Sequence, residues 1–162
     1  MKKIALIGLG PHAKRIYYKF IESDVLKEIL YFSVLVELES KRKEVEYFLK
    51  NKVVKPKYIF YVPDKDQIVP KIISKELKQK LDKVVAKSEI DYVVISTEPK
   101  AHKIYLKYFV SQKIPCLTDK PIVAREGLSY NKNASKRQYK DVLNLSKKSL
   151  KNNTRILVLV QR

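Results

Sequence analysis

The chain has 162 residues, of which 45% are hydrophobic, and its 35 Lys and Arg exceed its 17 Asp and Glu to give a formal charge of +18. This length and apolar content predict one globular domain with a substantial core and exclude wholesale disorder. No stretch approaches the roughly 18 uninterrupted apolar residues that a membrane-spanning helix needs. The apolar run of residues 4–9 is too short for a secretory signal peptide, and His12, Lys14 and Arg15 soon follow it.

The single cysteine and the dispersed basic residues exclude further classes of protein. Cys116 alone permits neither an internal disulfide nor a multi-thiolate metal site, so we expect a cytoplasmic protein with a buried, unreactive thiol. Clustered cations could attract nucleic acid by releasing counterions from phosphates. However, six of the 35 basic residues are Arg, which leaves 29 Lys spread along the whole chain, and Arg is the residue with a bidentate fork for bases and phosphates. We therefore expect a solvated surface and no nucleic acid partner.

Short β-branched runs alternate with longer segments of helical period, which is typical of βαβ units. The predicted strands are residues 3–7, 32–37, 58–62, 92–96, 115–118 and 155–160. Between them, apolar residues recur at helical spacing: Ala13, Ile16, Tyr17, Phe20 and Ile21; Leu77, Leu81, Val84 and Val85; Ile104, Tyr105, Tyr108 and Phe109. This order predicts an α/β fold with a doubly wound, mostly parallel Rossmann-type sheet in three α/β/α layers.

Residues that typically begin helices or form loops agree with this order of strands and helices. Ser40 and Ser74 each precede a helical segment and are suitable N-cap residues. Residues 63–73 are predicted to form a loop, and residues 125–136 are polar and less regular.

The first predicted strand leads directly into a G-x-G-x-x-G/A motif that opens a helix. In this motif Gly8 makes the tight turn, Gly10 lets the backbone approach a diphosphate, and Ala13 allows the helix to pack closely on the strand. Pro11 and His12 complete the turn, and the helix N-terminus presents amides and a partial positive charge to the diphosphate. We therefore expect a dinucleotide site here. The alternative is that the glycines only permit a sharp strand-to-helix turn.

An acid at the end of the second strand supports this interpretation, because such a carboxylate accepts hydrogen bonds from the adenosine ribose. Glu37 follows Ala13 by 24 residues (37 minus 13), close to the expected separation of about 20. Glu39 is the neighbouring alternative. A carboxylate repels a 2′-phosphate, so NAD is favoured over NADP, although Lys41 and Arg42 could pair with that phosphate.

The fourth predicted strand ends in Ser96, Thr97 and Glu98, which are followed by Pro99 and His102. Ligands of open α/β sheets lie outside the carboxyl ends of the strands, so these residues are expected to border the nicotinamide half of the coenzyme. The alternative for the histidine is a hydrogen bond to nearby backbone at the start of a helix.

The fifth predicted strand closes with Asp119, Lys120 and Pro121. A lysine at a strand end, rigidified by the following proline, can aim a cation or proton donor at a substrate hydroxyl beside the nicotinamide. The neighbouring aspartate could hold this lysine charged, although adjacent strand residues point to opposite faces.

Taken together, these motifs resemble the N-terminal domain of the Gfo/Idh/MocA oxidoreductases, the family of glucose-fructose oxidoreductase and inositol 2-dehydrogenase. The resemblance covers essentially the whole chain: residues 8–13, Glu37, residues 91–97 with Pro99 and His102, residues 119–121, and residues 157–162. It implies NAD(P)-dependent hydride transfer on a sugar, cyclitol or related polyol. Lys120 matches the lysine of the family's Glu-Lys-Pro motif, which implies a catalytic place for it at the substrate and nicotinamide.

Three features depart from the family pattern. Asp119 replaces a Glu, Glu98 places a charge where the family often has a small residue or Pro, and residues 125–136 look like an insertion. The family's second domain, with further substrate residues and the usual oligomer interface, is not found in these 162 residues. We expect residues 1–162 to form a coenzyme-binding domain without turnover of its own, with homo-oligomer formation and the substrate left open. The alternative is a stand-alone nucleotide sensor or basic adaptor.

Overall fold

The computed structural model describes residues 1–64, 72–127 and 130–160. The strands in these ranges are β1 (Lys2–Ile7), β2 (Leu30–Leu38), β3 (Tyr58–Val62), β4 (Tyr92–Ile95), β5 (Cys116–Asp119) and β6 (Ile156–Leu159). The helices are α1 (Pro11–Arg15), α2 (Tyr17–Glu22), α3 (Asp24–Lys27), α4 (Arg42–Lys50), α5 (Lys75–Ser88), α6 (Pro99–Ser111) and α7 (Lys132–Lys151), with a 3₁₀ turn (Glu39–Lys41) before α4.

The strands form one sheet in the order β3-β2-β1-β4-β5-β6, and every neighbouring pair is parallel. This order confirms the predicted doubly wound Rossmann-type sheet. The chain moves outward from β1 in one direction through β2 and β3, and in the other through β4 to β6. A crevice opens at the carboxyl ends of β1 and β4, where the direction changes, and this is where ligands of such sheets bind.

Alternating side chains of the central strand β1 enter two separate cores. Ala5 and Ile7 pack on one face of the sheet with residues of α5, α6 and α7, including the buried Leu81, Phe109 and Leu145. Ile4 and Leu6 pack on the other face with residues of α1, α2 and α4, including Ala13, Tyr18 and Val45. This alternation follows from the two-residue period of a strand and produces the predicted three layers.

The first helical segment differs from its prediction, because it is broken. The backbone leaves regular geometry at Ile16 (φ −110°, ψ −71°), so the segment divides into the short helices α1 and α2. Phe20, which shares the predicted apolar spacing, is 61% exposed instead of buried. The periodicity therefore located the segment but not its break.

The two predicted N-caps have different outcomes. Ser74 caps α5 as predicted, with its hydroxyl accepting a hydrogen bond from the Leu77 amide at 3.1 Å. Ser40 is wrong as a cap, because it lies inside the 3₁₀ turn and its amide and hydroxyl donate to Asp64. The residue that precedes α4 is Lys41, which makes no side-chain cap hydrogen bond.

The two segments predicted to be irregular are partly helical or partly outside the described ranges. Residues 132–136 open the long helix α7, whose N-cap Asn131 accepts hydrogen bonds from the amides of Asn133 and Ala134. Most of the predicted loop 63–73, and residues 161–162 of the closing motif, lie outside the described residues.

Cys116 is buried as predicted, and burial raises the pKa of its thiol to about 12. No helix of the described chain is long and apolar enough to cross a membrane.

Candidate functional site

A two-lobed cleft lies at the carboxyl ends of the central strands. The first lobe, here called the glycine lobe, has a volume of about 350 Å³ and is lined by Gly8, Leu9, Gly10, Pro11, His12, Glu37, Leu38, Lys41, Glu44, Val45, Ser96, Thr97 and Glu98. The second, the lysine lobe, has a volume of about 240 Å³ and is lined by His12, Ser96, Thr97, Pro99, His102, Asp119, Lys120 and Leu159. The lobes share His12, Ser96 and Thr97, so they form one continuous groove across the sheet edge.

The two glycines of the motif serve different purposes. Gly8 has φ +91°, and a Cβ placed there would lie 2.7 Å from the Ser96 carbonyl oxygen. Its amide donates to the Val36 carbonyl at 2.9 Å, so the turn is wedged between neighbouring strands. Gly10 has φ −67°, and a Cβ there would meet nothing within 4 Å. Gly8 is therefore required by the fold, whereas Gly10 has open space beside it and lines the glycine lobe.

The segment that follows the glycines begins as predicted. Pro11 occupies the first helical position, where its missing N–H costs nothing, and Ala13 is completely buried in the core beneath the sheet edge. His12 projects between the two lobes and keeps 36% of its side chain exposed. Because α1 contains five residues, its dipole is that of little more than one turn.

Glu37 lies at the end of β2, as predicted, and its carboxylate faces the glycine turn. Its Oε2 accepts a short hydrogen bond from the Leu9 amide, and its Oε1 accepts from the Leu38 amide at 2.9 Å. A carboxylate has about four acceptor positions, so both oxygens can accept further hydrogen bonds. The acid is thus fixed by backbone amides beside the open part of the lobe.

The other charged residues predicted near the adenosine ribose form ion pairs with one another or with neighbours. Glu39 leaves the strand for the 3₁₀ turn and pairs with Arg42 at 2.7 Å, so it does not line the lobe. The Arg42 guanidinium also stacks over the Tyr61 ring at 4.0 Å. Lys41 does line the glycine lobe and pairs with Glu44 at 3.2 Å. Of the two acids predicted for the ribose, the structure places Glu37 in the cleft.

The segment after β4 lines both lobes. Ser96 donates from its hydroxyl to Asp119 at 2.9 Å, and the exposed Glu98 lines the glycine lobe at the start of α6. Thr97 lies between them and lines both lobes. These three residues line the cleft beyond the strand end, and their place beside the nicotinamide stays a prediction.

His102 lines the lysine lobe but is fully buried. Its Nε2 lies 3.0 Å from the Thr97 carbonyl oxygen, and its Nδ1 lies 3.1 Å from the Pro121 carbonyl oxygen and 3.3 Å from the Thr118 hydroxyl. Burial lowers the pKa of this imidazole, although the two backbone carbonyls act in the opposite direction. The ring therefore joins the segments after β4 and β5, in agreement with the backbone-bonded alternative.

Asp119, at the end of β5, gathers three donors from separate elements. Its Oδ1 accepts from His12 Nε2 at 3.1 Å and from the Tyr17 hydroxyl, and its Oδ2 accepts from Ser96. Burial, followed by the hydrogen bond to Asp119, raises the pKa of Tyr17. The carboxylate was expected to support Lys120, and the structure shows that it instead holds side chains of α1, α2 and the β4 end.

Lys120 is exposed and lines the lysine lobe, and the peptide bond to Pro121 is cis. The loop that follows is fixed to the helices behind it. The Ala124 amide donates to the Pro99 carbonyl at 3.3 Å, and the Arg125 guanidinium pairs with the largely buried Asp141 of α7. These contacts hold the end of β5 in a defined position beside α6.

Tyr17 was missed as a site residue by sequence reasoning. The helical spacing placed it correctly in the core, where it is 4% exposed, but carried no sign that its hydroxyl reaches Asp119. Leu9 was also missed, because its contribution is a backbone amide rather than a side chain.

Comparison of the sequence with protein-family models finds no match, and comparison with curated proteins finds none either. Solved structures, in contrast, match nearly the whole chain. A Gfo/Idh/MocA family oxidoreductase from Vibrio cholerae superposes with a TM-score of 0.67 and 18% identity, over 98% of this chain and 38% of its own. The chain has the fold of the matching part of that oxidoreductase.

Two further structures carry ligands. An oxidoreductase from Agrobacterium radiobacter, in complex with NAD⁺, L-tartaric acid and magnesium, matches with a TM-score of 0.61 and 16% identity over 97% of this chain and 34% of its own. The WlbA dehydrogenase from Chromobacterium violaceum, in complex with NADH and UDP-GlcNAcA, matches with a TM-score of 0.65 and 13% identity over 98% of this chain and 34% of its own. The chain therefore spans 34 to 38% of the length of these three structures.

Proposed function

We propose that this chain is the NAD-binding domain of an oxidoreductase related to the Gfo/Idh/MocA enzymes, which transfers hydride between nicotinamide and a sugar, cyclitol or related polyol. One observation carries the proposal: the open space beside Gly10 and the carboxylate of Glu37 line the same lobe at the switch point of the sheet. The similar solved proteins that hold NAD⁺ or NADH support it.

The two lobes fit the two halves of a dinucleotide. In this proposal the adenosine occupies the glycine lobe, where Glu37 accepts hydrogen bonds from the ribose, and the diphosphate passes the backbone at Gly10 toward the junction with the lysine lobe. The nicotinamide occupies the lysine lobe, bordered by Ser96 and Thr97. When bound, the nicotinamide supplies the hydride chemistry, which the side chains of this domain lack.

The proposed preference is for NAD over NADP. The Glu37 carboxylate would repel a 2′-phosphate on the ribose it binds. The cation that could offset this repulsion, Arg42, is already paired with Glu39 and stacked on Tyr61. Lys41, which lines the lobe, is paired with Glu44. Binding of NADP would require these ion pairs to rearrange.

Lys120 is the residue we propose for proton transfer at the substrate hydroxyl. It lines the lobe assigned to the nicotinamide, and an ammonium at a strand end can donate a hydrogen bond to a hydroxyl there. The solved structures that match are about three times as long as this chain. We therefore propose that the 162 residues bind coenzyme and do not oxidise a polyol by themselves.

Calorimetric titration of the 162-residue chain with NAD and with NADP tests this proposal. NAD should bind about tenfold more tightly than NADP, and Glu37→Gln should weaken NAD binding about tenfold while reducing the preference, because a hydrogen bond to a charged group contributes about 1.5 to 3 kcal/mol. Glu39→Gln is the matched control and should leave the affinity for NAD unchanged. Absence of heat with both coenzymes would overturn the proposal and favour a basic adaptor module.

A further inference from the structure

The junction between the two lobes contains a histidine that is held by a carboxylate. His12 Nε2 lies 3.1 Å from Asp119 Oδ1, and the two residues are 107 positions apart in the sequence. Asp119 has 16% of its side chain exposed and also accepts hydrogen bonds from Tyr17 and Ser96. The hydroxyls of Tyr17 and Ser96 thus fix this carboxylate, and the carboxylate fixes the imidazole.

The contact determines which imidazole nitrogen carries a proton. An ionised carboxylate only accepts hydrogen bonds, so His12 Nε2 must be the donor to Asp119 and Nδ1 is the nitrogen that can meet a second partner. The ring lines both lobes and is 36% exposed, so it can be reached by a ligand that spans them.

We propose that His12 takes up a proton when a dinucleotide binds, so that an imidazolium lies between the Asp119 carboxylate and the diphosphate. This inference rests on the proposed function, because it requires the diphosphate to cross the junction of the lobes. The helix that follows the glycines has five residues, and the neighbouring Lys41 is paired with Glu44. A protonated His12 would supply positive charge at the one place where both lobes meet.

The charged groups around His12 agree with this assignment. Asp119 on β5 contacts the ring, and the Tyr17 hydroxyl on α2 donates to the same carboxylate, with the two rings 6.0 Å apart. Glu37, Glu98 and the ion pair of Lys41 with Glu44 line the glycine lobe, and Lys120 lines the lysine lobe. Four carboxylates and two ammonium groups therefore line the two lobes before the two negative charges of a diphosphate are added.

The direct test follows the two imidazoles of the chain, His12 and His102, by NMR as the pH is raised from 5.5 to 8.5, with and without saturating NAD. The His12 signal, assigned by its loss in His12→Gln, should remain in its protonated form to higher pH in the complex. The buried His102 lines the lysine lobe, so its chemical shift is expected to change with NAD, but the pH dependence of its signal should not, and this pH dependence is the internal control. ADP-ribose should reproduce the effect of NAD, and adenosine should not, because adenosine lacks the diphosphate.

Calorimetry in two buffers of different ionisation enthalpy measures the same event as a number of protons. The chain should take up a fraction of one proton per NAD near neutral pH, and NAD should bind about tenfold more tightly at pH 5.5 than at pH 8.5, because proton uptake couples binding to pH. His12→Gln can still donate to Asp119 but cannot titrate, so it should abolish the uptake and bind about tenfold more weakly at pH 5.5 only. Asp119→Asn should reduce the uptake, whereas Tyr17→Phe should preserve it.

The outcomes separate this inference from the function on which it rests. NAD binding that is equally tight at both pH values, without proton uptake, would overturn the role of His12 and leave the coenzyme site intact. Proton uptake that persists in His12→Gln would assign the proton to another group and would also overturn it. If neither NAD nor ADP-ribose binds, the proposed function fails, and this inference fails with it.

Discussion

The glycine lobe and the lysine lobe are built by different means. The glycine lobe is built around the contiguous turn of residues 8–12, in which Gly8 fits against the Ser96 carbonyl, and segments that follow β2 and β4 complete it. The lysine lobe is assembled from side chains of distant elements, among which Asp119 and His102 connect segments that the sequence separates widely. The comparison indicates that the first lobe is defined by shape and the second by hydrogen bonds. We therefore expect substitutions in the glycine lobe to act through steric clashes and those in the lysine lobe to act through lost hydrogen bonds.

The largest effect is expected at Gly8, where shape permits no side chain. In Gly8→Ala, the added Cβ would lie 2.7 Å from the Ser96 carbonyl oxygen at a backbone φ of +91°. Strain and overpacking of this kind cost about 3 kcal/mol together, which should lower the Tm by about 8 °C for a chain of this size. Thermal unfolding followed by circular dichroism measures this loss. A Tm within about 1 °C of the parent would show that the turn can relax and that shape does not define this lobe.

Gly10→Ala sharpens the comparison, because it adds the same methyl group two residues away in open space. A Cβ at Gly10 meets no atom within 4 Å and the backbone there has φ −67°, so the Tm should stay within about 1 °C of the parent. The methyl group would occupy the space through which the diphosphate approaches the backbone, so NAD binding should weaken about 100-fold. Calorimetry on the folded variant measures this. Unchanged affinity would place the diphosphate elsewhere in the cleft.

The difference between the lobes also explains how much could be predicted from the sequence. The doubly wound sheet, and the places of Gly8, Gly10 and Glu37 where strands end, were predictable because each depends on local periodicity or on a turn that the motif itself requires. The role of Asp119 was not, because its partners Tyr17 and His12 lie 102 and 107 positions away and meet it only after the sheet forms.

Short-range geometry imposed a second limit on prediction from the sequence. Ser40 has the composition of an N-cap, but the 3₁₀ turn directs it to Asp64 instead. Likewise, Ile16 fits the helical period although the backbone breaks there. Residue pattern predicts which segments are helical more reliably than it predicts where a turn of helix tightens or ends.

The smallest effect we predict is a pH dependence of the Tm that arises from His102, the buried histidine of the lysine lobe. Burial lowers the pKa of His102 in the folded chain, whereas the unfolded chain titrates it near its ordinary value of 6.5. The unfolded state therefore binds the proton more readily below about pH 6.5, and the free energy of unfolding should fall as the pH drops through this range. The parent should lose about 3 °C of Tm between pH 7 and pH 5.5 from this source.

His102→Gln separates this linkage from the packing of the ring. The variant should be less stable than the parent at pH 7, because an amide cannot replace the contacts of the imidazole with both the Thr97 and Pro121 carbonyls. Its Tm should nevertheless depend less on pH between 7 and 5.5, because the group that titrates in the unfolded state is gone. His12→Gln is the matched control, since it removes the other histidine of the chain and leaves the buried His102 in place. If the parent and His102→Gln lose the same number of degrees on acidification, the buried imidazole does not stay neutral, and a positive charge would then lie beneath the lysine lobe between its two carbonyl partners.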